Sequence, residues 1–405
     1  MLYRLEIENF YSIRDHQDID LRAAGNAPAE SDRLAEIWPG ASERAAKTVA
    51  IYGANASGKS TVLKALSFIT QFVMHSFSAP AHQRIMYDRF NDDEAFSQPT
   101  RLSIELSGVS DITRLDDPSA FQCRYRYELV IGGPRSEPAH VESEALYYWP
   151  LPDRRRTQLF RRHRDGRVKA AKDFGLSGFK PALEKVLRPN ASIISTLVQL
   201  KHPFAGLIWN TAARVSSNIF IERSEAADGD IARHYASNHE QLALLNREIS
   251  RIDLGIKEVH VFPADNGPTI QFSHEGLTAL MPLHLESHGT RSFLKLYPLI
   301  AQVLAFGGIA IIDELDSSIH PSILPEILGW FHDSDRNPYN AQLWITCHNA
   351  ALLDFLTKEE VFFCEKDSQG RTSVYSLKDV QGVRREDNFY RKYLSGVYGA
   401  VPQIG

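Results

Sequence analysis

The feature that most narrows what this chain can fold into is a nine-residue loop, Gly53-Ala54-Asn55-Ala56-Ser57-Gly58-Lys59-Ser60-Thr61. Its spacing is G-x-x-x-x-G-K-[ST]. A short apolar run, Thr-Val-Ala-Ile-Tyr at 48–52, leads into it, and a helical pattern over 61–75 leads out. Strand, loop and helix in that order aim backbone N–H groups and a helix N-terminus at one point, where positive potential gathers around a phosphate. Lys59 then reaches the β- and γ-phosphates, and the Ser60 hydroxyl ligates Mg²⁺. Gly53, Asn55, Ala56, Ser57, Gly58, Lys59, Ser60 and Thr61 are the candidate nucleotide-binding residues.

Such a loop needs carboxylates at the end of a neighbouring strand. Gly308-Ile309-Ala310-Ile311-Ile312-Asp313-Glu314 supplies them: a buried-type apolar run closed by two acids. Asp313 is the candidate to hold Mg²⁺ through water, and Glu314 to orient or deprotonate an attacking water. Asp313 lies 254 residues beyond Lys59 (313 − 59). That distance excludes a small GTPase-like core and requires a large insertion between the half-sites.

The rest of the chain fits this plan. Tyr3, Leu5 and Ile7 alternate with polar residues, as do Ile19 and Leu21, which predicts two short strands. Residues 23–46 read as an exposed loop or short helix, and 100–133 as β-type runs. Residues 140–178 read as hairpins, with Asp165-Gly166 as a turn signal. Residues 180–255 read as helical, broken at Pro181, Pro189 and Pro203, so no long coiled coil is expected. From about 256 strands and helices alternate again: a strand at 259–262, a helix over 290–306, the acidic strand, a helix after Pro321, a strand at 343–346, a helix from 349 and a strand at 361–366. That pattern predicts an α/β fold with a largely parallel sheet covered by helices.

Composition excludes several classes. With 45 Lys and Arg against 50 Asp and Glu the net charge is −5, so any nucleic-acid contact requires a local basic patch. Cys123, Cys347 and Cys364 are too scattered for a disulfide framework or a zinc site. The longest apolar run, 297–312, is interrupted by Gln302 and two glycines and falls short of the roughly 20 residues a membrane helix needs. The N-terminal stretch has no signal-peptide hydrophobic region. A reducing cytoplasm and no membrane partner are expected.

Three further stretches carry a resemblance. Leu315-Asp316-Ser317-Ser318-Ile319-His320-Pro321 follows Glu314. Leu343-Trp344-Ile345-Thr346-Cys347-His348-Asn349 comes next, and Glu286-Ser287-His288-Gly289-Thr290-Arg291 lies upstream. With the loop at 53–61, the N-terminal Ile7-Glu8-Asn9-Phe10-Tyr11-Ser12-Ile13 and the tail from Tyr393, they resemble the ABC-type ATPase heads of the RecF/SMC class. Within that class they look most like the OLD-like and RloA-like AAA-family ATPases of bacterial antiphage (abortive-infection) systems. The resemblance covers 1–130 and 250–405. It implies an ABC-type P-loop NTPase head: a mixed, largely parallel sheet with helices, plus an N-terminal antiparallel β part. The expected division is 1–135 and 256–405 for the two halves of the head, and 136–255 for a mixed hairpin and helical insertion.

The resemblance also implies roles. Ser287 and Gly289 look like the ABC signature, which meets the γ-phosphate of the opposite subunit's ATP. His288 and Thr290 depart from the common Leu-Ser-Gly-Gly-Gln form. Asp316 and Ser317 are similar to the D-loop, with helix capping before Pro321 as the plainer reading. His348 matches the switch histidine and joins Lys59 and Glu314 as the expected catalytic set. Neither Gln71 nor Gln98 has the context of a Q-loop glutamine. ATP and Mg²⁺ are the implied cofactors, and a homodimer or higher homo-oligomer closed around ATP is the implied assembly.

Three functions remain open at this level. One is an ATP-hydrolysing sensor or regulatory scaffold of a defence complex. A second is a RecF- or SMC-like DNA-binding ATPase of DNA repair, and a third a nucleotide-gated scaffold with negligible hydrolysis. The basic stretch 153–167, with Arg154, Arg155, Arg156, Arg161, Arg162, Arg164 and Arg167 and with Phe160 placed to stack or pack, is the one candidate for a nucleic-acid contact, but the acidic net charge favours a solvated hairpin whose arginines face a partner or water. Glu365 closes a strand as a Toprim glutamate does, but the 40 residues after it (405 − 365) hold no Asp-x-Asp. A nuclease or toxin effector is therefore expected on a separate chain. The tail either docks on the head or offers a partner surface.

Overall fold

The computed structural model describes residues 1–28, 31–114, 120, 122–134, 136–150, 155–252, 255–317 and 319–401. Arg154, Ser318 and residues 402–405 of the tail lie outside them. Among the described residues a six-stranded sheet runs in the order Val215–Ser217, Ile309–Ile312, Gln342–Thr346, Thr48–Tyr52, Val361–Lys366, Thr372–Ser376. Every neighbouring pair is parallel except the last, Val361–Lys366 with Thr372–Ser376. The expected α/β class and largely parallel sheet are present.

Burial on both faces explains why these strands are apolar runs rather than alternating ones. Side chains of period two go to two different cores. Val49, Ile51, Ile309, Ile311, Trp344 and Phe362 enter one, and Ala50, Tyr52, Ala310, Ile312, Leu343, Ile345 and Phe363 enter the other. The first core is closed by the helix Lys59–His75 and by a seven-stranded antiparallel sheet. That sheet runs Val168–Ala170, Thr157–His163, His140–Trp149, Cys123–Gly132, Thr100–Gly108, Leu2–Glu8, Gln17–Asp20. The second core is closed by the helices His288–Phe306 and Leu324–His332, among others.

Several expectations change here. Residues 23–46 contain the paired strands Leu34–Glu36 and Arg44–Ala46, and Leu34, Ala35, Ala45 and Ala46 are buried, so the segment is not an exposed loop or helix. Its small residues hid a packed hairpin. The segment 136–255 contributes to both sheets. Three of its strands extend the antiparallel sheet, with the hairpin turn at Asp165-Gly166 as expected, and Val215–Ser217 adds an edge strand to the parallel one. That strand falls inside a stretch read as helical. Pro181 and Pro203 stand in the first turn of Lys180–Val186 and Pro203–Ala212, where a missing N–H costs nothing, so they begin helices rather than break them. The helix expected from 349 is a 3₁₀ turn, Ala350–Phe355.

The basic stretch also changes character. Phe160 is fully buried and Arg162 is 3% exposed, so neither meets solvent or a nucleic acid. Pro298 sits inside His288–Phe306 and cannot donate to the Leu294 carbonyl; the Tyr235 hydroxyl does so instead, at 2.9 Å. The tail docks: Ala400 donates to Glu365 at 2.5 Å, and the Tyr375 hydroxyl to the Tyr398 carbonyl at 2.7 Å. No helix among the described residues is long and apolar enough to cross a membrane.

Candidate functional site

The parallel strands end together on one edge, and the loops that leave them surround a cleft of ~1230 Å³. Its wall includes Asn55, Ala56, Ser57, Gly58, Lys59, Ser60 and Thr61 from the loop, and Glu314, Thr346 and His348 from the two adjacent strand ends. Gly53 stands at φ 151° and Gly58 at φ 103°, backbone that side-chain-bearing residues rarely adopt. A Cβ on Gly53 would lie 2.3 Å from the Cys364 carbonyl oxygen, and one on Gly58 2.2 Å from the Thr372 hydroxyl. The loop is therefore pressed against the strands Val361–Lys366 and Thr372–Ser376. Thr372 also donates to the Ser57 carbonyl at 2.8 Å.

Lys59 is 5% exposed and turns back over the loop, donating to the Gly53 and Ala54 carbonyls at 2.9 and 3.0 Å. Burial pushes its ammonium down from the ordinary lysine range. Ser60 Oγ donates to Asp313 Oδ1 at 2.9 Å, and Thr346 Oγ1 donates to the same oxygen at 2.7 Å. The Glu314 N–H donates to Thr346 Oγ1 at 2.7 Å. One chain of hydrogen bonds thus joins the loop, the acidic strand end and the strand before His348. Among the described residues no cluster of three His, Cys, Asp or Glu is arranged to hold a metal. Mg²⁺ needs none here: a hydroxyl, one carboxylate, nucleotide oxygens and water make its usual shell, and Ser60 and Asp313 offer the first two side by side.

Glu314 sits at φ 52°, a left-handed backbone that costs a non-glycine residue on the order of 1 kcal/mol. Its carboxylate is 42% exposed and lies 3.9 Å from His348 Nε2. Asp316 Oδ2 accepts the His348 and Asn349 N–H groups at 2.8 and 2.5 Å. It therefore orders the backbone that carries His348 within its own chain, rather than capping a helix before Pro321. Ser287 caps the helix His288–Phe306, accepting from the Thr290 N–H at 3.1 Å. Neither Ser287 nor Gly289 lines the cleft of its own chain.

Two residues of the site had escaped the sequence reading. Asn218, just past Val215–Ser217, accepts the Asp313 N–H at 2.8 Å and donates to the Asp313 carbonyl at 3.2 Å. Arg223 donates to Glu314 Oε2 at 2.6 Å. Neither has a local signal, because the strand that delivers them was itself read as helix. Thr346 was within reach, standing two residues before His348 in a quoted stretch. Gln71 and Gln98 line no part of the cleft.

Residues 49–354 match a family model described as AAA domain, putative AbiEii toxin, Type IV TA system. No curated protein matches the sequence. Among solved structures, an SMC head bound to the C-terminal winged-helix domain of ScpA overlays at 11% identity and a TM-score of 0.48, covering 93% of this chain and 97% of that one. The SMC head domain from Thermotoga maritima overlays at 14% identity and 0.42, covering 93% and 98%. A third, an SMC head with an extended coiled coil bound to the C-terminal domain of ScpA, derived from Pyrococcus furiosus, gives 12% and 0.41, covering 98% and 99%. Overlays of this depth bear on neither activity nor partners. The loop, the acidic strand end and His348 all lie inside the family match, which spans more than half of the chain, and the chain belongs to that AAA-domain family.

Proposed function

We propose that this protein binds ATP with Mg²⁺ and hydrolyses it, and that two copies close head-to-tail around two nucleotides. In that role it is the sensor or regulatory scaffold of an RloA-like antiphage (abortive-infection) complex whose effector is a separate chain. The observation that carries the reading is the convergence on one cleft of Lys59 and Ser60 with Glu314 and His348 from the far end of the chain, with Asp313 hydrogen-bonded to Ser60 beside them. Bound Mg²⁺ would neutralise phosphate charge between Ser60 and Asp313. Lys59 exchanges its loop carbonyls for phosphate oxygens, and Glu314 with His348 orients water for in-line attack. Ser287 and Gly289 stand at the N-terminus of a 19-residue helix and do not line their own cleft, which leaves them free to serve a second copy. ATP then acts as a ligand that favours the closed pair, and hydrolysis releases it.

The test is the solution mass of Glu314→Gln protein with and without ATP-Mg²⁺, beside wild-type phosphate release. The expected result is a doubling of mass on adding ATP and a turnover at least ~100-fold below wild type. Wild-type turnover in Glu314→Gln would remove its catalytic role, and a mass indifferent to ATP would remove the sandwich. The defence role is read separately, by toxicity that appears only on co-expression with a neighbouring effector gene.

A further inference from the structure

Arg223 reaches Glu314 from behind. Its guanidinium does not line the nucleotide cleft; it lines a second cavity of ~390 Å³ on the other side of the acidic turn. Glu314 and Ser317 line both cavities and form the wall between them. From the far side Arg223 Nη1 donates to Glu314 Oε2 at 2.6 Å and to Ser317 Oγ at 2.9 Å. The other carboxylate oxygen, Oε1, is the one that lies 3.9 Å from His348 Nε2.

The loop that carries Arg223 is itself fastened to the turn. Asn218 clamps both backbone groups of Asp313. Ser224 N–H returns to the Asn218 carbonyl at 2.8 Å, and Ile219 bridges to Arg223 across the loop. The guanidinium is thus aimed by a short closed loop tied to the residue before Glu314. A half-exposed glutamate on a left-handed backbone has little else to fix its side chain.

We infer that Arg223 is a positioning residue for hydrolysis: it holds Glu314 by Oε2 and turns Oε1 toward the attacking water. The segment between the two half-sites thereby sets the geometry of the reaction without touching nucleotide. This inference rests on the reading of Glu314 as the group that orients water. Positioning errors near 1 Å are costly, so Arg223→Ala lowers kcat about 10–100-fold. ATP affinity stays within about 2-fold, since Arg223 itself does not line the nucleotide cleft. Arg223→Lys keeps the charge but loses the second guanidinium nitrogen, which donates to Glu225 at 3.4 Å, and recovers part of the rate.

The experiment measures phosphate release, binding of a fluorescent ATP analogue and thermal unfolding for wild type, Arg223→Ala, Arg223→Lys, Glu314→Gln and the Arg223→Ala/Glu314→Gln double variant. A kcat loss at unchanged affinity, partial recovery with lysine, and no further loss in the double variant support the inference. Wild-type or faster turnover in Arg223→Ala overturns it, as does a loss that adds fully to that of Glu314→Gln. If Arg223→Ala fails to fold, Arg223→Gln, which removes the charge and keeps much of the side chain, decides: wild-type turnover there overturns the inference. Failure of the underlying reading shows differently, as wild-type turnover in Glu314→Gln alone.

Discussion

Two clusters of charged side chains in this protein are built on opposite terms. At the cleft, Glu314 and His348 are 42% and 39% exposed, and Lys59 rests on loop carbonyls. Under the antiparallel sheet, Glu144 and Arg162 are 0% and 3% exposed. Glu144 Oε1 accepts the Tyr127 and Ser192 hydroxyls at 3.0 and 2.8 Å, and Oε2 accepts the Ile193 N–H at 2.8 Å. Arg162 donates to the Ala191 and Arg188 carbonyls at 2.5 and 2.8 Å. Burial pushes Glu144 up and Arg162 down from their ordinary ranges. A charge that must meet a ligand keeps water or replaceable partners; a charge that ties strand to helix must be satisfied inside the protein.

The contrast can be broken from either side. Lys59→Ala has the largest expected effect, a fall in phosphate release of about 10³-fold with nucleotide affinity also reduced. Its unfolding midpoint in denaturant stays close to that of wild type; a large loss of stability would mean that the cleft, too, is structural. Glu144→Ala should do the reverse. Leaving Arg162 buried without its carboxylate costs about 3 kcal/mol of stability in denaturant titrations, while the folded fraction turns over ATP at the wild-type rate. A normal midpoint would refute the structural role of the pair.

Ser287→Arg tests the exposed helix start. It should weaken ATP-dependent association by about 10-fold or more, with ATP binding to the single chain retained, as read by light scattering and nucleotide fluorescence. Unchanged association would remove Ser287 from the interface. The smallest effect sharpens the comparison among buried glutamates. Glu360 is as buried as Glu144 but its partners touch it directly, His332 Nε2 at 2.8 Å and the Arg33 guanidinium at 2.9 Å, whereas Arg162 stands 3.9 Å from Glu144. Burial would raise it; the His332 hydrogen bond and the two partner charges outweigh burial and hold it below the ordinary glutamate range. Its contribution is therefore present above the unfolded glutamate value and lost as pH falls through the folded one. Glu144, which is raised, runs the other way: its contribution is complete below the unfolded value and lost as pH rises through the folded one. Arg33→Ala should bring acid unfolding to a higher pH, by about 1 kcal/mol across that window. Identical acid transitions would mean that His332 alone suffices.

The legible parts of the fold were those with strong local patterning. The strands Leu2–Glu8 and Thr48–Tyr52, the helix Lys59–His75 and the alternation after 256 follow from periodicity and breakers that act within a few residues. The illegible parts lacked it. Leu34–Glu36, Arg44–Ala46 and Val215–Ser217 have three residues each, too few to show a period of two, and exist because a neighbouring strand accepts them. Asn218 and Arg223 were missed for that reason. Phe160 packs, one of the two roles open to it, but Arg162 turns inward, and a run of arginines does not say which of them does so.

By itself the sequence determined the glycine-rich loop, the acidic strand end and the apolar strands that carry them, because their chemistry is written in neighbouring residues and backbone geometry. Only the tertiary structure decided that Ser60 and Thr346 share one oxygen of Asp313, that Asp316 orders His348, and that Arg223 stands behind Glu314. Those contacts depend on strand order, with Val215–Ser217 beside Ile309–Ile312 and Gln342–Thr346 between the acidic strand and Thr48–Tyr52. Strand order is set by which arrangement buries both faces of the sheet at once, a property of the whole chain that no local stretch contains.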